Sequence, residues 1–147
     1  MLPSWLDLVR RSLSVALLPI AVQATAATLT VKVPGPLDPK GRIGCGLFAG
    51  ESGFPMDNSV ARMQWLPAQV DGVTCVFTDV ADGAYALSVV LDMNGNQRVD
   101  TNFLGMPREA WGESNNARPS LRPPRFDEAV FKVTDGKHVQ FDVRVAK

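Results

Sequence analysis

The residues best suited to chemistry lie in one short segment, residues 92–100. Oxygen-bearing side chains occupy every second position there, and a further carboxylate follows: Asp92, Asn94, Asn96 and Asp100. This spacing lets a single tight loop point several hard oxygen atoms at one centre, which is the environment that calcium requires. We therefore predict a calcium site in this loop, with the backbone carbonyl of Arg98 as a further ligand.

The predicted ligand set is incomplete when it is compared with a helix-loop-helix calcium site. The sixth position holds Gln97 instead of glycine, and the twelfth holds Phe103 instead of a bidentate glutamate. A remote carboxylate, Glu109 or Asp127, would have to complete the coordination shell. A plain hairpin is the alternative, because Asn-Gly is a strong turn signal and Asp and Asn satisfy turn backbones without metal. The sequence leaves both interpretations open.

The polar segment after this loop, residues 105–116, has no catalytic spacing. One hypothesis is a ligand-binding lid in which Trp111 stacks on a sugar or peptide beside Asn115 and Asn116. The simpler interpretation, which we favour, is a loop whose tryptophan caps the domain. Trp65 is a second candidate for stacking on a ligand.

Catalytic groups are few. The single histidine, His138, lies on the polar side of a predicted strand, and without a second histidine a zinc site is not expected. Four acidic residues could supply a carboxylate pair: Glu109, Glu113, Asp127 and Glu128. The hydrolase hypothesis pairs Glu109 with Asp127 or Glu128. Acidic residues scattered in a polar loop explain these positions equally well. We expect a protein that is not an enzyme.

Strands must position these residues, because hydrophobic residues alternate with polar or small ones along most of the chain. The predicted strands cover residues 28–33, 43–47, 60–65, 73–78, 84–91, 131–133 and 138–145. The last two flank Asp135-Gly136 and are expected to form a hairpin. About seven short strands separated by Pro, Gly and Asp turns indicate an all-β protein, an antiparallel β-sandwich of immunoglobulin or transthyretin type. A long polar loop, residues 92–127, interrupts this pattern.

Two cysteines, Cys45 and Cys75, share the inward-facing parity of their predicted strands. In an oxidising compartment such a pair forms a structural disulfide between paired or facing strands. Free buried thiols and a redox pair are the alternatives, and the absence of Cys-x-x-Cys spacing disfavours redox chemistry.

The first 26 residues have the pattern of an export signal. Arg10 and Arg11 precede a short apolar stretch, and Ala24-Thr25-Ala26 supplies small residues for cleavage after Ala26. The apolar run is too short and interrupted for a membrane span, which needs roughly 20 residues. We expect residues 27–147 to form one domain in the periplasm or outside the cell, without stable membrane insertion after cleavage. Both the general secretory and the twin-arginine route remain open.

The charge balance also restricts the partners. The chain has fifteen basic and fifteen acidic residues, which leaves no electrostatic footprint for nucleic acid. An envelope protein or a glycan is the expected class of partner.

Several motifs in fixed order resemble a family of secreted bacterial proteins catalogued as domain of unknown function 2141. They are Gly83-x-Tyr85-Ala86, Asp92-x-Asn94-x-Asn96-x-x-x-Asp100-Thr101-Asn102, Gly105-x-Pro107-x-Glu109, Trp111-Gly112-x-Ser114-Asn115-Asn116, Phe126 and Ala129-x-Phe131. The resemblance covers nearly all of the chain after the signal. It implies a β-sandwich and export, and it carries no established activity.

Four residues depart from the pattern of that family. Leu91, Met93, Gln97 and Glu113 stand where the family has histidine, glutamate, glycine and an aromatic residue. The first two departures remove polar ligands from the loop. Gln97 is expected to need a left-handed backbone, at a cost of about 1–2 kcal/mol.

Overall fold

The computed structural model describes residues 26–147, so the predicted signal peptide lies almost entirely outside the described residues. Eight strands are present: β1 (Ala27–Pro34), β2 (Arg42–Phe48), β3 (Arg62–Pro67), β4 (Gly72–Val80), β5 (Gly83–Asp92), β6 (Ala110–Glu113), β7 (Phe131–Val133) and β8 (Val139–Asp142). Helical segments are short: two 3-10 turns, Asn58–Val60 and Ser114–Asn116, and one α-helix, α1 (Phe126–Ala129). Within residues 26–147, no helix is long and apolar enough to cross a membrane.

The strands form two sheets, which confirms the predicted all-β sandwich. One sheet has the order β4-β1-β8, and the other has the order β3-β2-β5-β6, with β7 paired to the first residues of β5. Neighbouring strands run antiparallel except β8, which lies parallel to β1. Alternation explains the core, because the inward residues of β1, Leu29, Val31 and Val33, are at most 1% exposed.

The disulfide between Cys45 and Cys75 joins the two sheets. Cys45 lies on β2 and Cys75 on β4, with a Cα–Cα distance of 6.6 Å, and both residues are completely buried. The predicted core disulfide is therefore confirmed, and it links facing strands of different sheets.

The predicted hairpin around Asp135-Gly136 is wrong. The turn itself forms, with both residues at positive φ and the Asp82 carboxylate accepting the N–H of Asp135 at 3.1 Å. However, β7 pairs with β5 in one sheet, and β8 pairs with β1 in the other. The turn therefore moves the chain from one sheet to the other, a choice of partner that local turn chemistry does not specify.

The predicted polar excursion between residues 92 and 127 contains a strand that the sequence pattern missed. β6 pairs with β5 in the register Ser88↔Glu113, Val89↔Gly112, Val90↔Trp111 and Leu91↔Ala110. Every residue of β5 from Ala86 to Asp92 is buried. Because β5 lies between β2 and β6, it delivers an acidic residue, Asp92, to a position that is only 1% exposed.

Candidate functional site

Asp92 organises the predicted calcium loop from the end of β5. Its Oδ1 accepts the N–H of Gly95 at 2.7 Å, and its Oδ2 accepts the N–H of Gln97 at 2.8 Å. Gln97 has φ +58°, as the sequence predicted for a side chain in the usual place of glycine. The two hydrogen bonds from the loop backbone to a buried carboxylate offset the strain of that left-handed residue.

Asp100 collects the side chains of the two asparagines. The Nδ2 atoms of Asn94 and Asn96 donate to Oδ2 and Oδ1 of Asp100 at 2.6 Å and 3.0 Å. The Oδ1 atoms of these asparagines accept the N–H groups two residues further along, at 3.1 Å and 2.9 Å. The second of these N–H groups belongs to Arg98. The loop is thus a compact hydrogen-bonded structure and not the plain two-residue hairpin, since β5 is continued by β6 only after residue 109.

Glu109 is the remote carboxylate that the structure brings to this loop. The pairing of Leu91 with Ala110 places Glu109 opposite Asp92 in the next register position. Oε1 of Glu109 accepts the N–H of Met93 at 2.9 Å, whereas Oε2 is buried and has no hydrogen-bond partner among the described residues. Glu109 is 7% exposed. A buried, half-satisfied carboxylate is costly and requires an explanation.

The electrostatics of Glu109 reflect this position. Burial raises the pKa of Glu109, and the hydrogen bond from the Met93 N–H, followed by the nearby Asp100 N–H, opposes this effect in part. The negative charges of Asp92 and Asp100 raise the pKa further, so the three carboxyl groups are within electrostatic reach of one another. Glu109 and Asp100 line a cavity of about 480 Å³, together with Asn94 and the positively charged Arg108. The hard oxygens that a cation prefers are therefore gathered at one opening.

A complete metal cage is not formed. Among residues 26–147, no three His, Cys, Asp or Glu side chains are arranged to hold a metal ion. The asparagine amides turn nitrogen, not oxygen, towards Asp100. The other proposed donor, Asp127, lines a different cavity with Glu51. Calcium binding by the predicted residues stays a prediction.

Trp111 does not present an open ring face, which corrects the hypothesis that it stacks on a ligand. The ring lies on β6, is 5% exposed, and has the guanidinium of Arg118 4.4 Å from its centroid. Asn115 and Asn116 have φ of +61° and +50°, and the Asn115 amide donates to the Val130 carbonyl at 3.0 Å. These asparagines serve the backbone, since Asn tolerates the left-handed region better than most residues.

Trp65 lies differently, at the edge of an open groove of about 670 Å³. The groove is also lined by Met56, Met63 and Arg98. The indole ring packs over Gly44 so closely that a Cβ there would overlap it. Asn58, which also lines the groove, donates to the Gln97 carbonyl at 3.2 Å, and this bond connects the groove to the candidate calcium loop.

The carboxylate pair considered for a hydrolase is not assembled around Glu109. Glu128 forms an ion pair with Arg122 at 2.7 Å, and this hydrogen bond, followed by that from the Arg125 N–H, lowers the pKa of Glu128 to about 2. Glu109 and Asp127 line separate cavities.

Glu113 is a buried acid that the sequence offers only as one of four candidate carboxylates and not as a predicted site residue. It lies on β6, is 2% exposed, and its Oε2 has no hydrogen-bond partner in the described part of the chain. Burial raises its pKa to about 9, an effect that the positive charge of Arg118 partly opposes. The signal for it was the departure from an aromatic residue at this position, which marks a site where a bulky side chain is expected.

Comparison with known proteins identifies the family. The chain belongs to the family described as uncharacterized protein conserved in bacteria (DUF2141), whose model matches residues 31–141. Comparisons with curated proteins and with solved structures gave no match.

Proposed function

We propose that this protein is an exported, non-enzymatic β-sandwich module whose loop of residues 92–100 binds calcium and is stabilised by it. The observation that carries the proposal is the unpartnered Oε2 of Glu109, buried beside Asp92 and Asp100. A divalent cation would give this oxygen a partner and offset the mutual repulsion of the three carboxyl groups.

The ligands come from both sides of the β5–β6 connection. Asp100 and Glu109 supply carboxylate oxygens at the shared cavity, and the amides of Asn94 and Asn96 supply oxygen after a half-turn about the Cβ–Cγ bond. Asp92 holds the loop through its two backbone hydrogen bonds. With few charges in the loop itself, the dissociation constant is on the order of 10⁻⁴–10⁻³ M, as in extracellular modules.

Thermal unfolding with and without calcium tests the proposal. At about ten times the dissociation constant, binding to the folded state alone adds about 1.4 kcal/mol to the free energy of unfolding and raises Tm. The variants E109Q and D100N each remove a carboxylate at the cavity with little change of shape, and both are expected to lose the calcium-dependent rise. E51Q is the matched control, because Glu51 is an exposed acid that lines a different cavity.

Two results would contradict calcium binding at this place. One is an unchanged Tm at millimolar calcium. The other is an equal rise in E109Q and in the unsubstituted protein, which would locate the ion elsewhere. Magnesium serves as the comparison ion, since it demands a near-ideal octahedral shell and gives up its bound water reluctantly.

Export is supported by two features that differ in kind. The N-terminal sequence has the charged, apolar and small-residue regions of a signal peptide. The disulfide between the two sheets is typical of proteins that fold in an oxidising compartment. In that compartment the module would meet an envelope protein or a glycan as its partner.

Glycan binding in the Trp65 groove is the second candidate function. The half-buried indole adjoins polar groups from Asn58 and Arg98, and such a combination of one flat apolar face with nearby hydrogen-bonding groups suits a sugar ring. The test is tryptophan fluorescence titrated with a panel of glycans, with W65L as the variant that should lose the response. An unchanged spectrum across the panel would reject this candidate.

A further inference from the structure

A second, separate site is formed where β6 meets the C-terminal segment. Trp111 and Ala146 exchange two backbone hydrogen bonds of 3.0 Å, so residues 143–146 lie against β6. Gly112 permits this approach, because a Cβ there would overlap the Arg144 carbonyl oxygen. Between the two segments is a cavity of about 170 Å³.

Three ionisable side chains line this cavity: Glu113, Arg118 and Arg144. Glu113 is only 2% exposed, and its Oε2 has no hydrogen-bond partner in the described structure. Arg118 and Arg144 are both exposed, so the cavity is accessible from solvent. It shares none of its lining residues with the cavity of the candidate calcium site.

The guanidinium of Arg118 is held in place before any ligand arrives. It stacks on the Trp111 ring, and its Nη1 and Nη2 donate to the carbonyls of Trp111 and Ala146 at 3.1 Å and 2.9 Å. A guanidinium has five N–H groups, so these two bonds leave further donors for a ligand. A fixed guanidinium loses little freedom when it binds a planar oxyanion.

We propose that this cavity binds a small carboxylate anion, with Arg118 and Arg144 pairing with its charge and the carboxylic acid of Glu113 donating a hydrogen bond to one of its oxygens. The ligand gives Glu113 the partner that its buried side chain lacks. A cation is disfavoured because two of the three ionisable groups that line the cavity are positive. The charge-assisted bonds to an oxyanion are of the strong kind.

Burial keeps Glu113 in the donor form over the neutral range, because its pKa is raised to about 9. The positive charge of Arg118 favours the ionised form of Glu113, and a bound anion has the opposite effect. Arg144 is the other charged group that lines the cavity. When Glu113 ionises, it loses its proton and repels the ligand. Affinity for a carboxylate should therefore fall as the pH rises through the pKa of Glu113.

Acetate is the probe, added to the full protein at constant ionic strength with chloride as the replaced anion. The methyl groups of Ala117 and Ala146 line the cavity and report binding by NMR at neutral and alkaline pH. We expect saturable shifts of these methyl signals and weaker binding above pH about 9. R144Q should weaken binding about tenfold, the equivalent of one charge-assisted hydrogen bond.

Substitutions at Glu113 distinguish a specific hydrogen bond from its side chain from a general effect of charge on binding. E113L removes the donor and should abolish the saturable shifts, whereas E113Q restores a donor and should recover most of the affinity. Both variants remove a buried acid, so both are expected to fold. K137Q removes one exposed positive charge from a turn outside the cavity and should leave binding unchanged.

The form of the ligand is distinguished with a dipeptide that has either a free or an amidated C-terminus. Binding of the free form and of acetate supports a carboxylate site, and binding of the free dipeptide alone assigns it to peptide C-termini. The proposal is overturned if the shifts do not saturate, if chloride or the amidated dipeptide competes equally, or if K137Q weakens binding as much as R144Q.

Discussion

Replacing Glu113 by glutamine should stabilise the protein, and the gain should depend on pH in a defined way. The pKa of Glu113 is raised from 4.5 to about 9 by burial, so the folded state holds a proton that the unfolded chain releases at neutral pH. Below pH 4.5 Glu113 is protonated in both the folded and the unfolded state, so its ionisation does not reduce the free energy of unfolding. The free energy of unfolding then falls progressively as the pH rises from 4.5 towards 9, because only the unfolded chain releases the proton.

The magnitude follows from the width of that range. Each pH unit between the two pKa values is worth 1.36 kcal/mol, so at neutral pH the protonated state of Glu113 costs about 3 kcal/mol of stability. Glutamine keeps the size of the side chain and does not titrate. The difference in the free energy of unfolding between E113Q and the unsubstituted protein should therefore grow from the acid range to about 3 kcal/mol at neutral pH.

Urea unfolding followed by tryptophan fluorescence, repeated across this pH range, measures the difference. E51Q is the control, since Glu51 is exposed and its removal should leave the pH profile unchanged. A constant difference between E113Q and the unsubstituted protein at all pH values would show that titration of Glu113 is not its cause. A less stable E113Q at neutral pH would refute the argument altogether.

Three further predictions concern the disulfide, the groove and the N-terminus. The double variant C45A/C75A should lose about 3–4 kcal/mol of the free energy of unfolding, because the bond closes a loop with a sequence separation of 30; urea unfolding checks this. In G44A the new Cβ overlaps the Trp65 ring, so the indole should move into solvent and its fluorescence should shift to the red. If the protein is exported and cleaved after Ala26, N-terminal sequencing of the mature chain should begin at Ala27.

The strands that the sequence predicted well are those whose burial has a simple period. β1 alternates strictly between buried and less buried residues, and its bounds differ from the prediction by one residue at each end. β6 escaped prediction because it has only four residues and three of them, Trp111 to Glu113, are buried in succession. Such a short strand within a polar segment shows no alternation of hydrophobic and polar residues from which it could be predicted.

The second feature that the sequence did not predict is which strands pair with each other. A turn signal such as Asp135-Gly136 is a property of two residues, and the structure confirms its positive φ values. Whether the strands on either side pair with each other depends on contacts that are distant in sequence. Here Phe131 of β7 pairs with Tyr85 of β5, and Val139 of β8 pairs with Leu29 of β1. The two strands therefore belong to different sheets and do not form a hairpin.

The candidate site depends on both kinds of information. The loop around Asp92 is local chemistry, and the positive φ of Gln97 follows from the sequence of that loop alone. The burial of Glu109 and Glu113 is not local, because it results from the register of β6 on β5. The sequence predicts Glu109 as the additional ligand, with Asp127 as the alternative, and the pairing of Leu91 with Ala110 places Glu109 beside the loop.

That register also explains why the loop and the buried acids should be considered together. A shift of β6 by one residue would reverse the faces of its side chains and separate Glu109 from Asp92. Trp111, packed under Arg118 and bonded to Ala146, opposes such a shift from the other end of β6. The residues that the family motif places around Trp111 therefore hold β6 in the register that brings Glu109 to the loop. This gives a structural reason why the motif around Trp111 and the Asp/Asn motif of residues 92–100 occur in the same chain.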